Sequence, residues 1–281
     1  MAPDGQAIAG VKINWFSPLP PARARAAFMT EQIVPLLARG AETRVWSHEP
    51  SWNPELETYA TVKTYDPATP PWRDFNRAEV AIFHLGDEAQ FYGDVWAVSR
   101  EYPGIVVLHD DSFQQLFTGL ATRRRFLNQR DYLRLAEFHY PRKGRAMGEA
   151  YLSGTISVDA LALQCSMIRA AVENALAVVV HSQTTFDALA GDSLLPVVHL
   201  PIKENDDGEA YAESLLEMAN ELPAYQKIWS ARVLSRSVGG AIHDWCTDDL
   251  MADLPPGIAR EILVLSEGNE LFAFDETARG N

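Results

Sequence analysis

Six short aliphatic runs, separated by longer stretches of helical period, constrain this chain more than any other feature. They lie at Val11–Phe16, Thr43–Trp46, Val80–His84, Ile105–Leu108, Ala177–Val180 and Val197–Leu200. Ile105–Leu108 is apolar without alternation, as a strand buried on both faces must be. Between the runs lie segments such as Ala24–Arg39, with Phe28, Ile33, Leu36 and Leu37 at helical spacing before Gly40, and Val95–Arg100, which Pro103-Gly104 ends. Strands alternating with helices specify an α/β fold, a Rossmann-like parallel sheet with helices on both faces.

The pattern changes along the chain. Residues Phe113 to Glu173 read as mostly helical, with Gly144, Gly148 and Gly154 as interruptions. After Pro201 the alternation stops. Lys203 opens an acidic stretch that includes Glu204, Asp206, Asp207, Glu209, Glu213, Glu217 and Glu221 before the next basic residue at Lys227. The expected division is a Rossmann-like domain over 1–202 and a mostly helical C-terminal segment over 203–281 that packs on it. Helices are expected at 211–222, 224–237, 241–252 and 257–265 from their apolar spacing.

A formal charge of −14 argues against general nucleic-acid binding, which needs a basic surface to neutralise phosphates. No apolar run approaches the ~20 residues of a membrane span, so a soluble, cytoplasmic protein is expected. Cys165 and Cys246 lack metal-type partner spacing and read as packed or free thiols. Against the acidic whole, Arg123, Arg124 and Arg125 begin a basic cluster continued by Arg130, Arg134, Arg142, Lys143 and Arg145. It reads as a solvated face partly paired with Asp131 and Glu137, or as a peripheral contact for an anionic membrane or an acidic partner.

Three strand ends collect the chemistry. Val80–His84 delivers His84, Gly86 and Asp87; Ile105–Leu108 delivers His109, Asp110 and Asp111; Ala177–Val180 delivers His181 and Ser182. Open α/β sheets bind ligands at the carboxyl ends of their strands. His109 would then meet a ligand hydroxyl, or serve as a core or capping imidazole. Asp110 and Asp111 would hold hydroxyls or a cation, or cap the helix starting near Ser112; Ser182 has the placement of an N-cap.

Four ordered segments resemble the N-terminal, acceptor-side domain of glycosyltransferase family 4, a retaining GT-B family. They are Ile13–Pro21 (NWFSPLPPA from Asn14 through Ala22), Ala81–Tyr92 (AIFHLGDEAQFY), Pro103–Leu116 (PGIVVLHDDSFQQL) and Ala177–Leu189 (AVVVHSQTTFDAL), the last followed by Val197–Pro201. The resemblance implies a nucleotide-sugar donor, no required metal or other cofactor, a glycan or glycolipid acceptor, and His109 as the residue facing the donor sugar. His84, Gly86, Asp87, Asp110, Asp111, His181 and Ser182 would line the substrate side.

The departures from the family are as informative. Its Gly-Asn turn is Gly86-Asp87 here, which exchanges an amide donor for a carboxylate. Its glycine pair beside the donor diphosphate is replaced by Ala22-Arg23-Ala24-Arg25-Ala26, whose side chains obstruct close backbone approach and leave Arg23 and Arg25 as the phosphate candidates. Glu209/Glu217 and Glu213/Glu221 match the spacing of a donor-half motif but belong to one acidic helical face. The residues after 202 hold no alternation able to build a second Rossmann domain. The expectation is therefore a glycosyltransferase-like protein, accessory or degenerate, without self-sufficient transfer. The alternative is an active retaining transferase whose donor site a partner subunit or second copy completes. Helices that ordinarily brace two domains would leave apolar surface exposed, and a homodimer is expected from that.

Overall fold

The computed structural model describes residues 10–191, 194–202 and 208–238. The helices expected at 241–252 and 257–265, the opening of the acidic stretch at 203–207, and Cys246 lie outside the described residues. The described elements, in chain order, are β1 (Val11–Phe16), α1 (Arg25–Leu37), β2 (Ala41–Ser47), β3 (Thr61–Thr64), α2 (Trp72–Phe75), β4 (Val80–Leu85), α3 (Ala89–Ser99) and β5 (Gly104–Leu108). After them come α4 (Gln114–Arg123), α5 (Gln129–His139), α6 (Gly144–Leu152), α7 (Val158–Gln164), α8 (Ile168–Ala171), β6 (Ala175–Val180), α9 (Gln183–Leu189), β7 (Val197–His199), α10 (Glu209–Asn220) and α11 (Leu222–Val238).

The seven strands form one parallel sheet in the order β3-β2-β1-β4-β5-β6-β7, so the direction of winding reverses between β1 and β4. The α/β, Rossmann-like fold read from the sequence is the fold observed. Two cores flank the sheet because strand side chains alternate faces. On one face Phe16, Phe83, Val106 and Val178 pack with Trp96, Phe117 and Tyr132 of α3, α4 and α5. On the other, Ile13, Trp15, Ile82, Val107 and Val179 pack with Ile33 and Val34 of α1 and with Leu215 and Met218 of α10. Each such side chain contributes roughly 1.5–3 kcal/mol on full burial.

The second core makes α10 structural. Its buried residues, Tyr211, Ala212, Leu215, Met218 and Ala219, have the spacing of a single apolar stripe, while Glu213, Glu217 and Glu221 are exposed. Glu209 pairs with Arg39 at the surface. The acidic face is therefore solvated, as its pattern implied. In α11, Trp229 donates its indole N–H to Asn174 beside the start of β6.

Sequence pattern did not find β3. It is a four-residue edge strand, TVKT, partly or fully exposed along its length, and so lacks an apolar run. The glycines of the long helical region also differ from expectation. Gly154 does interrupt, with φ +77°. Gly144 stands at the break between α5 and α6, as the first residue of α6, whereas Gly148 lies inside that helix; at both, α5 packs so closely that side chains do not fit. A Cβ at Gly144 would stand 1.9 Å from the carbonyl oxygen of Ala136, and one at Gly148 2.7 Å from Leu133.

That contact yields a prediction whose sign opposes helix propensity. Gly144→Ala gains at most about 1 kcal/mol of propensity, but overpacking against rigid backbone costs about 1–3 kcal/mol. Urea unfolding should show net destabilisation, and less of it for Gly148→Ala, which meets a flexible leucine tip. A stabilised Gly144→Ala protein would contradict the crossing described.

Candidate functional site

The sheet places three histidines on one face. Counting back by twos from each gives Ile82 and Val80 on β4, Val107 and Ile105 on β5, and Val179 and Ala177 on β6, all members of the core shared with α1 and α10. Parallel register pairs Leu108 with Val180 and His84 with Val107. His109 and His181 therefore emerge side by side, with His84 one step deeper. The rings form a continuous file: Trp15 to His84 at 4.1 Å between centroids, His84 to His109 at 5.2 Å, His109 to His181 at 5.3 Å, and His181 to Tyr211 of α10 at 5.8 Å.

Hydrogen bonding fixes much of the proton placement. His181 Nδ1 lies 2.8 Å from the carbonyl oxygen of Leu200; a carbonyl only accepts, so Nδ1 carries the proton and Nε2 is an acceptor. His84 Nδ1 and His109 Nε2 are 2.9 Å apart, and one donates to the other. Either direction leaves one buried N–H without a partner among the described residues, on His84 Nε2 if His109 donates and on His109 Nδ1 if His84 donates. The orphan costs less on the ring nearer solvent, and of the two only His109 lines the cleft. We therefore assign the proton to His84 Nδ1, which leaves His109 Nδ1–H as the donor at the cleft. Burial pushes His84 down to about 3, His109 well below the usual imidazole value and His181 below it as well, and the neighbouring imidazoles and Arg25 push His109 the same way. All three rings are neutral near pH 7.

An open cleft of about 540 Å³ lies over the ends of β5 and β6, lined by Arg25, His109, Asp110, Asp111, His181, Ser182 and Thr185 with Leu108 and Ile202. The polar atoms around it are unequally committed. Arg25 donates from Nη1 to the carbonyl oxygen of His109 at 2.7 Å. Asp111 accepts from the hydroxyls of Ser182 and Thr185, and Ser182 caps α9 by accepting from the Thr185 amide. His109 Nδ1 and His181 Nε2 have no partner among the described residues. One uncommitted donor and one uncommitted acceptor thus lie buried in the cleft wall, just past the ends of adjacent strands.

Other expected site residues serve the scaffold. Asp87 accepts from the Leu116 amide in the first turn of α4, and Asp110 accepts from the Asp87 amide. The capping of α4 expected from Asp110 or Asp111 is thus performed by Asp87, from the neighbouring strand end. Gly86 is buried where a Cβ would stand 2.4 Å from Tyr92 and 2.8 Å from Asp110. His84 lies beneath His109 and does not line the cleft. Arg23 is exposed and also stands outside the cleft lining.

The start of α1 is closed. Ala24, Ala26 and Ala27 are fully buried, and the Ala26 amide faces the hydroxyl of Tyr92 at 3.4 Å. Neither Tyr92 nor the Leu200 carbonyl stood out in the sequence, since each acts through long-range packing. Thr185 was legible in principle, three residues after Ser182 at capping-box spacing. In the basic cluster, Arg125 is committed to the buried carboxylate of Asp94 at 2.5 Å, and Arg145 bridges Glu137 and Glu149.

Among the described residues no helix is long and apolar enough to cross a membrane, and no group of three or more His, Cys, Asp or Glu is arranged to hold a metal ion. No family model, curated protein or solved structure matches the chain.

Two pH effects of opposite sign follow. The lowered histidines bind protons in the unfolded chain before they do in the folded one. Their contribution is complete above the ordinary value of 6.5 and is lost as pH falls toward about 3. Unfolding midpoints in urea should drop across that window, and His84→Gln should reduce the slope by one proton. Asp87 is raised to about 6, chiefly by burial, so its contribution is complete below the ordinary 3.8 and is lost as pH rises through 6. Asp87→Asn keeps an acceptor for Leu116 without a buried charge. It should equal or exceed the parent in stability at pH 7 and lose that part of the pH dependence; a large loss at pH 7 would show that the charge itself is needed.

Proposed function

We propose that this chain is a glycosyltransferase-like protein that binds a polyhydroxylated, glycan-type ligand at the acceptor-side edge of its sheet and does not transfer sugar unaided. The observation that carries the reading is that His109 and His181, neighbouring rings that both line the cleft, each keep a buried nitrogen without a partner among the described residues, Nδ1 and Nε2 respectively. A hydroxyl group both donates and accepts, so one sugar hydroxyl satisfies both nitrogens, and Asp110, Asp111 and Arg25 supply further partners for its neighbours. The rings are neutral, which suits hydrogen bonding to an uncharged polyol better than pairing with an anion.

Against unaided transfer stands the beginning of α1. A donor diphosphate is ordinarily received by free first-turn amides that backbone can bring close. Here Ala24, Ala26 and Ala27 at that turn are buried, there is no glycine, and the Ala26 amide faces the Tyr92 hydroxyl. His109, the residue that the family resemblance would place against a donor sugar, is held in a neutral, donating form that suits orientation of a ligand rather than proton abstraction.

Titration calorimetry and NMR together separate the outcomes. Millimolar UDP- and GDP-sugars should give no saturable heat, whereas mono- and disaccharides should shift the His109 and His181 ring resonances. His181→Phe, which removes the acceptor, should weaken saccharide binding about tenfold, as loss of one hydrogen bond of roughly 1–1.5 kcal/mol implies. Saturable binding of a nucleotide sugar, or transfer by the chain alone, would overturn the proposal.

A further inference from the structure

The deepest histidine of the ring file is also the most constrained. His84 has no exposure, and its ring is wedged between Trp15, 4.1 Å away and tilted by 37°, and His109, 5.2 Å away and stacked at 24°. Trp15 is fixed in turn, donating from its indole N–H to Thr30 Oγ1 at 2.9 Å. With the ring held, one of its nitrogens has a partner among the described residues and the other has none: Nδ1 faces His109 Nε2 at 2.9 Å, whereas Nε2 is buried and alone. A proton on that outer nitrogen has nowhere to go.

Two neutral imidazoles carry two N–H protons between them. One lies in the bond joining the rings. The other must sit at an end of the pair, on His84 Nε2 if His109 donates and on His109 Nδ1 if His84 donates. The ring that donates in the shared bond therefore decides what the cleft meets, because the bond made by one ring nitrogen fixes the state of the other. We infer that His84, which does not line the cleft, is a positioning residue that determines the cleft's hydrogen-bonding polarity: donation from its Nδ1 holds His109 as the Nδ1–H tautomer. With His109 a donor and His181 Nε2 an acceptor, one hydroxyl satisfies both nitrogens. With the opposite tautomer both nitrogens would accept, and a single hydroxyl could donate to only one of them. The group that fits would change although no residue of the cleft lining had changed. The placement of the proton holds for any ligand, and only its effect on affinity rests on the glycan reading.

The test is nitrogen NMR on the full chain with isotope-labelled histidines near pH 7, where protonated and bare ring nitrogens resonate far apart. The shared proton should be bonded to His84 Nδ1, with His109 protonated at Nδ1 and bare at Nε2. His84→Gln, whose side-chain amide also donates, should keep His109 in that form. His84→Met offers no donor and only a weak sulfur acceptor, so His109 should exchange to Nε2–H, the tautomer that an isolated neutral histidine prefers. Saccharide affinity should fall about tenfold in His84→Met, as loss of one hydrogen bond implies, and stay within about twofold of the parent in His84→Gln. A proton on His109 Nε2 in the parent, or an Nδ1–H form that survives in His84→Met, would overturn the inference. The parent spectrum needs no variant, so it decides the matter even if His84→Met does not fold. The expected tautomers together with no saccharide binding would overturn the glycan reading and leave the role of His84 standing.

Discussion

Everything at the candidate site depends on the phase of the parallel register. Because side chains alternate along a strand, a slip of one residue in β4, β5 or β6 would send its histidine to the opposite core and its aliphatic residues to the wrong face. Hydrophobic burial fixes that phase, through Ile82, Val107 and Val179 on one side and Phe83, Val106 and Val178 on the other. The imidazoles contribute little to choosing it. They sit at or just past the ends of strands whose apolar interiors already determine which way they face, and a polar file is thereby held inside a core that would otherwise exclude it.

The central strands β4, β5 and β6 were readable because they are buried on both faces and therefore appear as uninterrupted aliphatic runs. The same physics hid β3, which lies at an edge and has no run. Strand ends were readable as places where chemistry collects, and His109, Asp110, Asp111, His181 and Ser182 do line one cleft. Their roles were less accessible. Whether Asp87 faces a ligand or the amide of Leu116 depends on where α4 begins relative to β4, a relation between segments almost thirty residues apart that periodicity does not encode. Gly144 and Gly148 carried the same ambiguity, since a glycine that breaks a helix and one that admits a neighbour are identical letters.

Charge at the edge is managed by commitment. The carboxylates of Asp87, Asp110 and Asp111 accept from amides or hydroxyls, the nearby guanidinium of Arg25 is turned partly onto a carbonyl, and the histidines stay neutral. In a chain of strongly negative net charge, this gives a local surface that recognises direction of hydrogen bonding rather than sign of charge. An uncharged hydroxyl-bearing ligand loses less solvation on entering such a surface than an ion would.

The bond from Arg25 to the His109 carbonyl spans more of the molecule than its length implies. It starts just after β1 and ends just after β5, reaching over the end of β4 and hence over the point where the winding reverses. Doubly wound sheets ordinarily receive nucleotides in that crevice. Here a side-chain tie crosses above it while the Tyr92 hydroxyl plugs the helix start below. Reopening the crevice would require both obstacles to go together, since removing either leaves the other in place. The first of any two single substitutions therefore leaves the crevice obstructed, and the two contacts act as independent closures of one opening.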